Sequence, residues 1–121
     1  MPINSHKDLH VWQKGIELSK QIYLLTEKFP REEIYGITSQ MRRASVSIPS
    51  NIAEGRSRGT RKDFVQFLRI AMGSASELET QIEIAKNLPE TKNLSYKEID
   101  ILLNEVSRMT MGMIKKLSIK S

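Results

Sequence analysis

The sequence predicts an all-α protein of 121 residues that folds as one four-helix bundle. Apolar residues recur at intervals of three and four along four segments, which is the period of amphipathic helices. Proline and glycine residues separate the segments, and no segment alternates apolar and polar residues as a strand does. The connections are short, so consecutive helices are expected to lie antiparallel in an up-down-up-down bundle.

The first helix is predicted over about residues 5–29. Ser5 and Asp8 have the spacing of a capping box, which satisfies free N–H groups at a helix start. One apolar stripe is enough to bury a helix against its own bundle, but this helix carries a second. The second stripe indicates either a wide core contact or a subunit interface, where aromatic residues are enriched. Its members are the candidate oligomer interface: Leu9, Trp12, Ile16 and Tyr23.

The second helix is predicted over about residues 32–56, and its apolar pattern continues through Pro49. A proline inside a helix lacks the N–H group and crowds the carbonyl four residues earlier, here Ser45, at a cost of about 3 kcal/mol. Ser45, Ser47 and Ser50 surround the proline. We expect their hydroxyl groups to satisfy the carbonyls that Pro49 releases.

The third and fourth helices are predicted over about residues 60–88 and 95–118. Further capping boxes open them, Thr60 with Asp63 and Ser95 with Glu98. Gly73 lies in a stretch of small residues, and a glycine inside a helix costs about 1 kcal/mol relative to alanine. Close approach of another helix is therefore the expected reason for Gly73.

Positive charge is concentrated in the middle of the chain. The net charge of the chain is +5. The segment from Arg42 to Arg69 holds seven basic and two acidic residues, and their difference of five equals this net charge. Such a patch is typical of a protein that binds a polyanion, although an ordinary solvated face is the alternative. The candidate nucleic-acid-binding residues are Arg42, Arg43, Arg56, Arg58, Arg61, Lys62 and Arg69.

These seven residues differ in how well folding alone explains them. Arg56 and Arg58 end a helix, where arginines are favourable partners for free carbonyls. Arg61 and Lys62 begin the next helix, where positive charge opposes the helix dipole, so a ligand explains them better. The patch holds no base-reading motif or aromatic stacking set, and recognition of backbone and shape is expected.

Motifs for catalysis, metals or cofactors are missing from the sequence. There is no cysteine, and the only histidines, His6 and His10, do not form the Glu-x-x-His pairs of di-iron bundles. Glycine-rich phosphate loops and nucleophile elbows are also absent. We expect a protein that is not an enzyme and binds no cofactor or metal. Lack of a signal pattern, of cysteine and of a long apolar run predicts a cytoplasmic protein without a membrane partner.

Several segments between about residues 8 and 88 resemble the proteins encoded in intervening sequences of bacterial 23S rRNA genes. The most specific segment reads Ser47-Ile-Pro-Ser-Asn-Ile-Ala-Glu-Gly55. Others are Asp8-Leu-His-Val-Trp12, Gln40-Met-Arg-Arg-Ala44, Ala71-Met-Gly-Ser74 and Glu77-Leu-Glu79. The fourth helix shows little of this pattern and is assigned from its periodicity.

The resemblance implies a left-handed four-helix bundle that assembles into a homopentamer. The sequence is similar also to the accessory proteins of diversity-generating retroelements, which bind nucleic acid and a reverse transcriptase. By position, the basic residues become candidates for contact with RNA or DNA. The expected function is a non-enzymatic, oligomeric protein that binds rRNA or another structured RNA in preference to DNA. The alternative is an interaction scaffold that docks a reverse transcriptase or another acidic protein.

Overall fold

The computed structural model describes residues 6–119, except for the side chains of Asp8 and Ile119. It contains four long helices: α1 (His10–Thr26), α2 (Ile37–Ser57), α3 (Arg61–Lys86) and α4 (Lys97–Ile119). Short 3₁₀ turns at His6–Asp8 and Arg31–Glu33 precede α1 and α2. Within the described residues there is no strand, so the predicted all-α class is confirmed.

The helices pack in the order expected for a four-helix bundle. Helices α1 and α3 each pack against both α2 and α4. The stripes predicted from periodicity supply most of the core, in which Leu18, Ile48, Leu78 and Val106 are fully buried. No helix among residues 6–119 is both long and apolar enough to cross a membrane.

The first two helices begin later than predicted. Residues 6–8 form a separate 3₁₀ turn, and Leu9 precedes α1 without a side-chain cap. The proposed cap residue Ser5 lies outside the described residues. Before α2, the acidic residues Glu32 and Glu33 belong to the second 3₁₀ turn. Gly36, with φ of −111° and ψ of −120°, interrupts the helix and shifts its start to Ile37.

Helix α2 passes through Pro49 without ending. The carbonyl of Ser45 accepts a hydrogen bond from the hydroxyl of Ser19 on α1, at 2.8 Å. Neighbouring serines were expected to satisfy this carbonyl, but the hydroxyl of Ser45 instead donates to the carbonyl of Arg42. The ring of Pro49 packs against Gly15, where an added Cβ would lie 3.3 Å from the proline Cβ. Pro49 therefore belongs to the contact between α1 and α2.

Small residues also bring α2 and α3 together. The hydroxyl oxygens of Ser47 and Ser74 lie 2.8 Å apart across the two helices. A Cβ at Gly55 would lie only 2.6 Å from the Cβ of Phe67, so this close approach requires glycine. At Gly73, no atom other than its chain neighbours and its own nearby helix backbone lies within 4 Å of the Cβ position. The close approach of another helix that was expected there is not found within residues 6–119.

The turn between α2 and α3 follows local rules. Gly59 has a φ of +89°, in the left-handed region that side chains disfavour. Thr60 then caps α3, because its hydroxyl accepts a hydrogen bond from the N–H group of Asp63 at 3.1 Å. This confirms the Thr60 cap, which is one of the two hydrogen bonds of the second predicted capping box. The tight turn places the end of α2 directly beside the start of α3.

Candidate nucleic-acid interface

One end of the bundle collects basic residues from three helices. The end of α2, the start of α3 and the end of α4 meet there around a cleft of about 480 Å³. Arg56, Arg61 and Lys116, one from each helix, line this cleft. Its remaining lining residues are Leu9, Gly59, Thr60, Phe64, Met113 and Leu117. The antiparallel arrangement of the helices explains this meeting, since the start of α3 lies beside the ends of both its neighbours.

Three smaller depressions continue the cleft on either side. One shares Arg61 and Leu117 with it and reaches Lys62 and Val65. The next shares Lys62 and Val65 and extends to Arg69. On the other side, a depression that shares Leu9, Met113 and Lys116 runs along α1 and α4. Each depression shares lining residues with its neighbour, so the four adjoin one another and can be described together as one surface channel.

We call this channel the basic groove. Among the described residues that line it, every charged side chain is basic: Arg56, Arg61, Lys62, Arg69 and Lys116. Between the cations its surface is apolar, formed chiefly by Leu9, Phe64, Val65, Met113 and Leu117. Four of the seven predicted binding residues lie on the groove: Arg56, Arg61, Lys62 and Arg69.

Arg58 lies close to the groove in sequence but does not line it. Its guanidinium forms an ion pair with Glu54 at 2.9 Å and lies over the ring of Phe67, 4.9 Å from the ring centre. The ion pair has the four-residue spacing expected from the sequence. Arg58 therefore fastens the end of α2 to the first turns of α3.

Arg42 and Arg43 lie on another part of the molecule. Arg42 is 14 residues before Arg56 on α2, which is about 21 Å at 1.5 Å per residue. Its Nε donates to the hydroxyl of Thr26 at 2.9 Å, and its guanidinium lies 4.7 Å from the ring centre of Tyr23. Arg43 contacts Ser39 on its own helix at 3.4 Å. The structure does not bring these two arginines to the basic groove.

The predicted oligomer interface occupies the junction of α1 and α2. Ile16 and Tyr23 are 44% and 43% exposed, and Trp12 is half-buried against the core. On α2, Arg42 lies over the ring of Tyr23, and the exposed Val46 is one helical turn further along from Arg42. We call Trp12, Ile16, Tyr23, Arg42 and Val46 the α1/α2 seam. Leu9 is only 7% exposed and packs in the core. Leu9 therefore offers almost no surface to a partner.

Lys116 is the groove residue that the sequence analysis missed. It lies in the last turn of α4, the helix that shows little of the family resemblance. A signal was present, because Lys115 and Lys116 are adjacent near the end of the predicted helix. An up-down-up-down bundle places that end beside the start of α3, where Arg61 and Lys62 lie.

The opposite end of the bundle carries an acidic cleft. Its charged lining residues are Glu79, Glu83, Asp100 and Lys86. Lys86 Nζ lies 2.8 Å from Asp100 Oδ2 and 3.7 Å from Glu83 Oε1. The hydrogen bond to Asp100 is the main cause that raises the pKa of Lys86. The basic groove and this acidic cleft therefore lie at opposite ends of the bundle.

Metal binding has no ready site in residues 6–119. No three His, Cys, Asp or Glu side chains of that region are grouped as metal ligands would be.

Next to the acidic cleft, the hydroxyl of Tyr96 donates to the carbonyl of Thr91 at 2.8 Å. Burial raises the pKa of this hydroxyl.

Comparisons with known proteins identify the family. A model of the family described as "23S rRNA-intervening sequence protein" matches residues 7–112. The chain belongs to this family. A crystal structure of a protein of unknown function from the S23 ribosomal protein family of Bacteroides thetaiotaomicron is similar, with a TM-score of 0.74 and 25% sequence identity. The match covers 87% of this chain and 98% of that one. Comparison with curated proteins finds no match.

The resemblance to the proteins encoded in intervening sequences of 23S rRNA genes is confirmed by this match. The matched region extends beyond residue 88 into α4, which the sequence pattern alone did not reach. The basic groove is formed largely by matched residues, including Arg56, Arg61 and Lys62. Lys116 lies past the matched region.

Proposed function

We propose that this protein is a non-enzymatic RNA-binding protein and that the basic groove is its contact surface. The observation that carries the proposal is the gathering of cations from α2, α3 and α4 along one groove without an acidic lining residue among those described. A polyanion that lies along the groove is attracted by these cations and releases its condensed counterions when it binds.

RNA is the proposed polyanion because of the family to which the chain belongs. The family is named for an intervening sequence of 23S rRNA. A protein of this family acting on structured rRNA would use phosphate contacts for most of its affinity. We expect modest sequence specificity, since the cations of the groove carry charge but no base-specific pattern.

Self-association is a second part of the proposal. The α1/α2 seam combines the exposed apolar residues Ile16 and Val46 with an arginine stacked on a tyrosine. Tyrosine and arginine are enriched at the energetic centres of protein interfaces. An assembly such as the homopentamer implied by the family resemblance would repeat the groove in each copy. Weak contacts with one long RNA would then add through multivalency.

The salt dependence of RNA binding tests the groove directly. We expect a structured fragment of 23S rRNA to bind with an affinity that falls as salt rises, by a logarithmic slope of about −0.7 to −0.9 per phosphate neutralised. Fluorescence anisotropy of labelled RNA would measure it. Charge reversal of Arg61 and Lys62 to glutamate should weaken binding to every structured RNA and reduce the slope by about two.

A matched control variant makes the same change in net charge at the end of the bundle opposite the basic groove. Arg31 and Lys97 are exposed and lie outside the groove, so their replacement by glutamate should alter RNA affinity much less. Equal losses in the two double variants would show that only overall charge matters. No binding at low salt, or an affinity that does not respond to salt, would contradict the proposal.

A further inference from the structure

The floor of the basic groove is apolar between its cations. Phe64, Met113 and Leu117 line the central cleft together with Arg56, Arg61 and Lys116. A groove that only neutralised phosphates would gain nothing from such a floor, since phosphates and sugars are polar. Apolar side chains between cations instead match a ligand that alternates charged and flat apolar groups. A nucleic-acid strand with unpaired bases has this composition.

The course of the groove also favours a flexible strand. From Arg69 to Arg61 it follows α3 for about 12 Å, at 1.5 Å per residue. It then turns across the end of the bundle towards Lys116 on α4. A duplex is a stiff cylinder that presents backbone and groove edges on its outside. A single strand bends with the groove and turns its bases towards the floor.

Phe64 is an aromatic residue that lines the groove and is held in place by packing. Its Cδ1 lies 3.2 Å from the Cβ position of Gly55, so the ring is held against the backbone of α2. The ring is half-buried and also lines the central cleft beside Arg61. A ring held in this way loses little conformational freedom when a base stacks on it.

We infer that the basic groove binds an unpaired RNA strand. The phosphates of the strand contact the five groove cations, and at least one base lies on Phe64 and its apolar neighbours. The inference rests on the proposed function for this groove and narrows its ligand from structured RNA in general to loops, bulges or single-stranded ends.

The test compares a single-stranded RNA of about 12 nucleotides with the blunt duplex that it forms with its complement. Anisotropy titrations of both labelled probes at the same salt should show tighter binding of the single strand, by about tenfold. Phe64→Leu keeps an apolar residue but removes the stacking face. It should weaken single-strand binding by about fivefold, the low end for loss of a stacked base, and leave duplex binding unchanged.

Phe67→Leu is the matched control. Phe67 also packs against Gly55 but is covered by Arg58 and does not line the groove. This substitution should cost a similar amount of packing without a selective loss of single-strand affinity. If Phe64→Leu fails to fold, the ratio of single-strand to duplex affinity in the unmodified protein still tests the inference. Lys116→Gln then tests whether the single strand lies in the groove, with Lys115→Gln as control. Lys116 lines the groove and the exposed Lys115 does not, so only Lys116→Gln should weaken single-strand binding.

The outcomes separate this inference from the proposed function. Equal affinity for single strand and duplex, with salt dependence and no effect of Phe64→Leu, would overturn the inference and leave the proposed function standing. Absence of binding to both probes and to the rRNA fragment at low salt would overturn both. Competition by polyglutamate as strong as that by unlabelled single strand would show recognition of charge alone and would also overturn the inference.

Discussion

Lys86 shows at the level of one residue how charge joins two helices at the acidic end. It projects from the last turn of α3, contacts Asp100 in the first turn of α4 and lies 5.8 Å from the ring centre of Tyr96. Its side chain is 30% exposed, so solvent screens the pair and its contribution to stability is modest. The contact is nevertheless measurable, because it changes a pKa.

Stability should decline at high pH partly through Lys86. The hydrogen bond to Asp100 raises the pKa of Lys86 above its ordinary value of 10.5, so the folded state holds this proton more tightly than the unfolded chain. The contribution is complete below pH 10.5 and is lost as pH rises through the folded pKa. Burial raises the pKa of Tyr96 above 10.0. Ionisation of Tyr96 therefore also lowers the stability of the fold as pH rises. Urea unfolding midpoints measured across this range would show the decline.

Asp100→Asn isolates the share of this pH-dependent stability that is due to Lys86, because it removes the main cause of the raised pKa of Lys86. Its stability should fall less steeply above pH 10.5 than that of the unmodified protein. Glu98→Gln removes a neighbouring acid from the same first turn of α4 and should keep the original profile. Parallel profiles for Asp100→Asn and the unmodified protein would count against this account.

At the scale of the helix, the surroundings of Pro49 show that the sequence predicts the course of α2 but not the hydrogen-bond donor that the Ser45 carbonyl finds. Periodicity predicts that α2 continues through the proline, and the missing N–H group of Pro49 predicts that the carbonyl of Ser45 loses its partner. The donor, Ser19, is 26 residues away, and only the packing of α1 against α2 brings it close. Gly73 shows the same limit of sequence-based prediction. Its small size is evident from the sequence, but the side of α3 on which it lies relative to the other helices is not.

A double-mutant cycle would measure the link between the proline and Ser19. Ser19→Ala leaves the carbonyl of Ser45 without its hydroxyl donor, which should cost about 1 kcal/mol of unfolding free energy. Pro49→Ala supplies an N–H group at the position that normally bonds this carbonyl. In the Pro49→Ala background, Ser19→Ala should therefore cost much less. Urea unfolding of the four proteins gives the coupling, and strictly additive losses would show that the two residues act independently.

Ends of helices were predictable where one local interaction decides them. Thr60 and Asp63 are three residues apart, and the capping bond between them follows from chemistry within a single turn. The start of α2 was mispredicted because acidic residues and a preceding proline fit a 3₁₀ turn as well as an α-helix. Gly36 decides between the two, and its effect depends on the backbone angles it adopts.

At the scale of the whole molecule, the sequence gives the charges but not their grouping. Between Arg42 and Arg69 the basic residues form one cluster along the chain, yet the structure places four of them on the basic groove and one, Arg42, in the α1/α2 seam. Arg43 and Arg58 lie in neither. Lys116 joins the groove from a helix far along the chain. Such grouping depends on the antiparallel arrangement and on which face of each helix is buried. The fold class follows from periodicity, whereas the site requires the packed bundle.

The exposed residues of the α1/α2 seam lead to a prediction about self-association. Ile16 and Leu24 lie on the same helix and are similarly exposed, at 44% and 47%. Ile16 shares a face with Tyr23, two turns further along, whereas Leu24 is rotated about 100° from Tyr23. If the seam is the contact between copies, Ile16→Lys places a charge in that contact, which costs several kcal/mol when the charge finds no partner. Light scattering should then give the 13.9 kDa of one chain for Ile16→Lys and a multiple of it for Leu24→Lys. An unchanged assembly in Ile16→Lys would place the contact elsewhere, and a single-chain mass for the unmodified protein would contradict self-association itself.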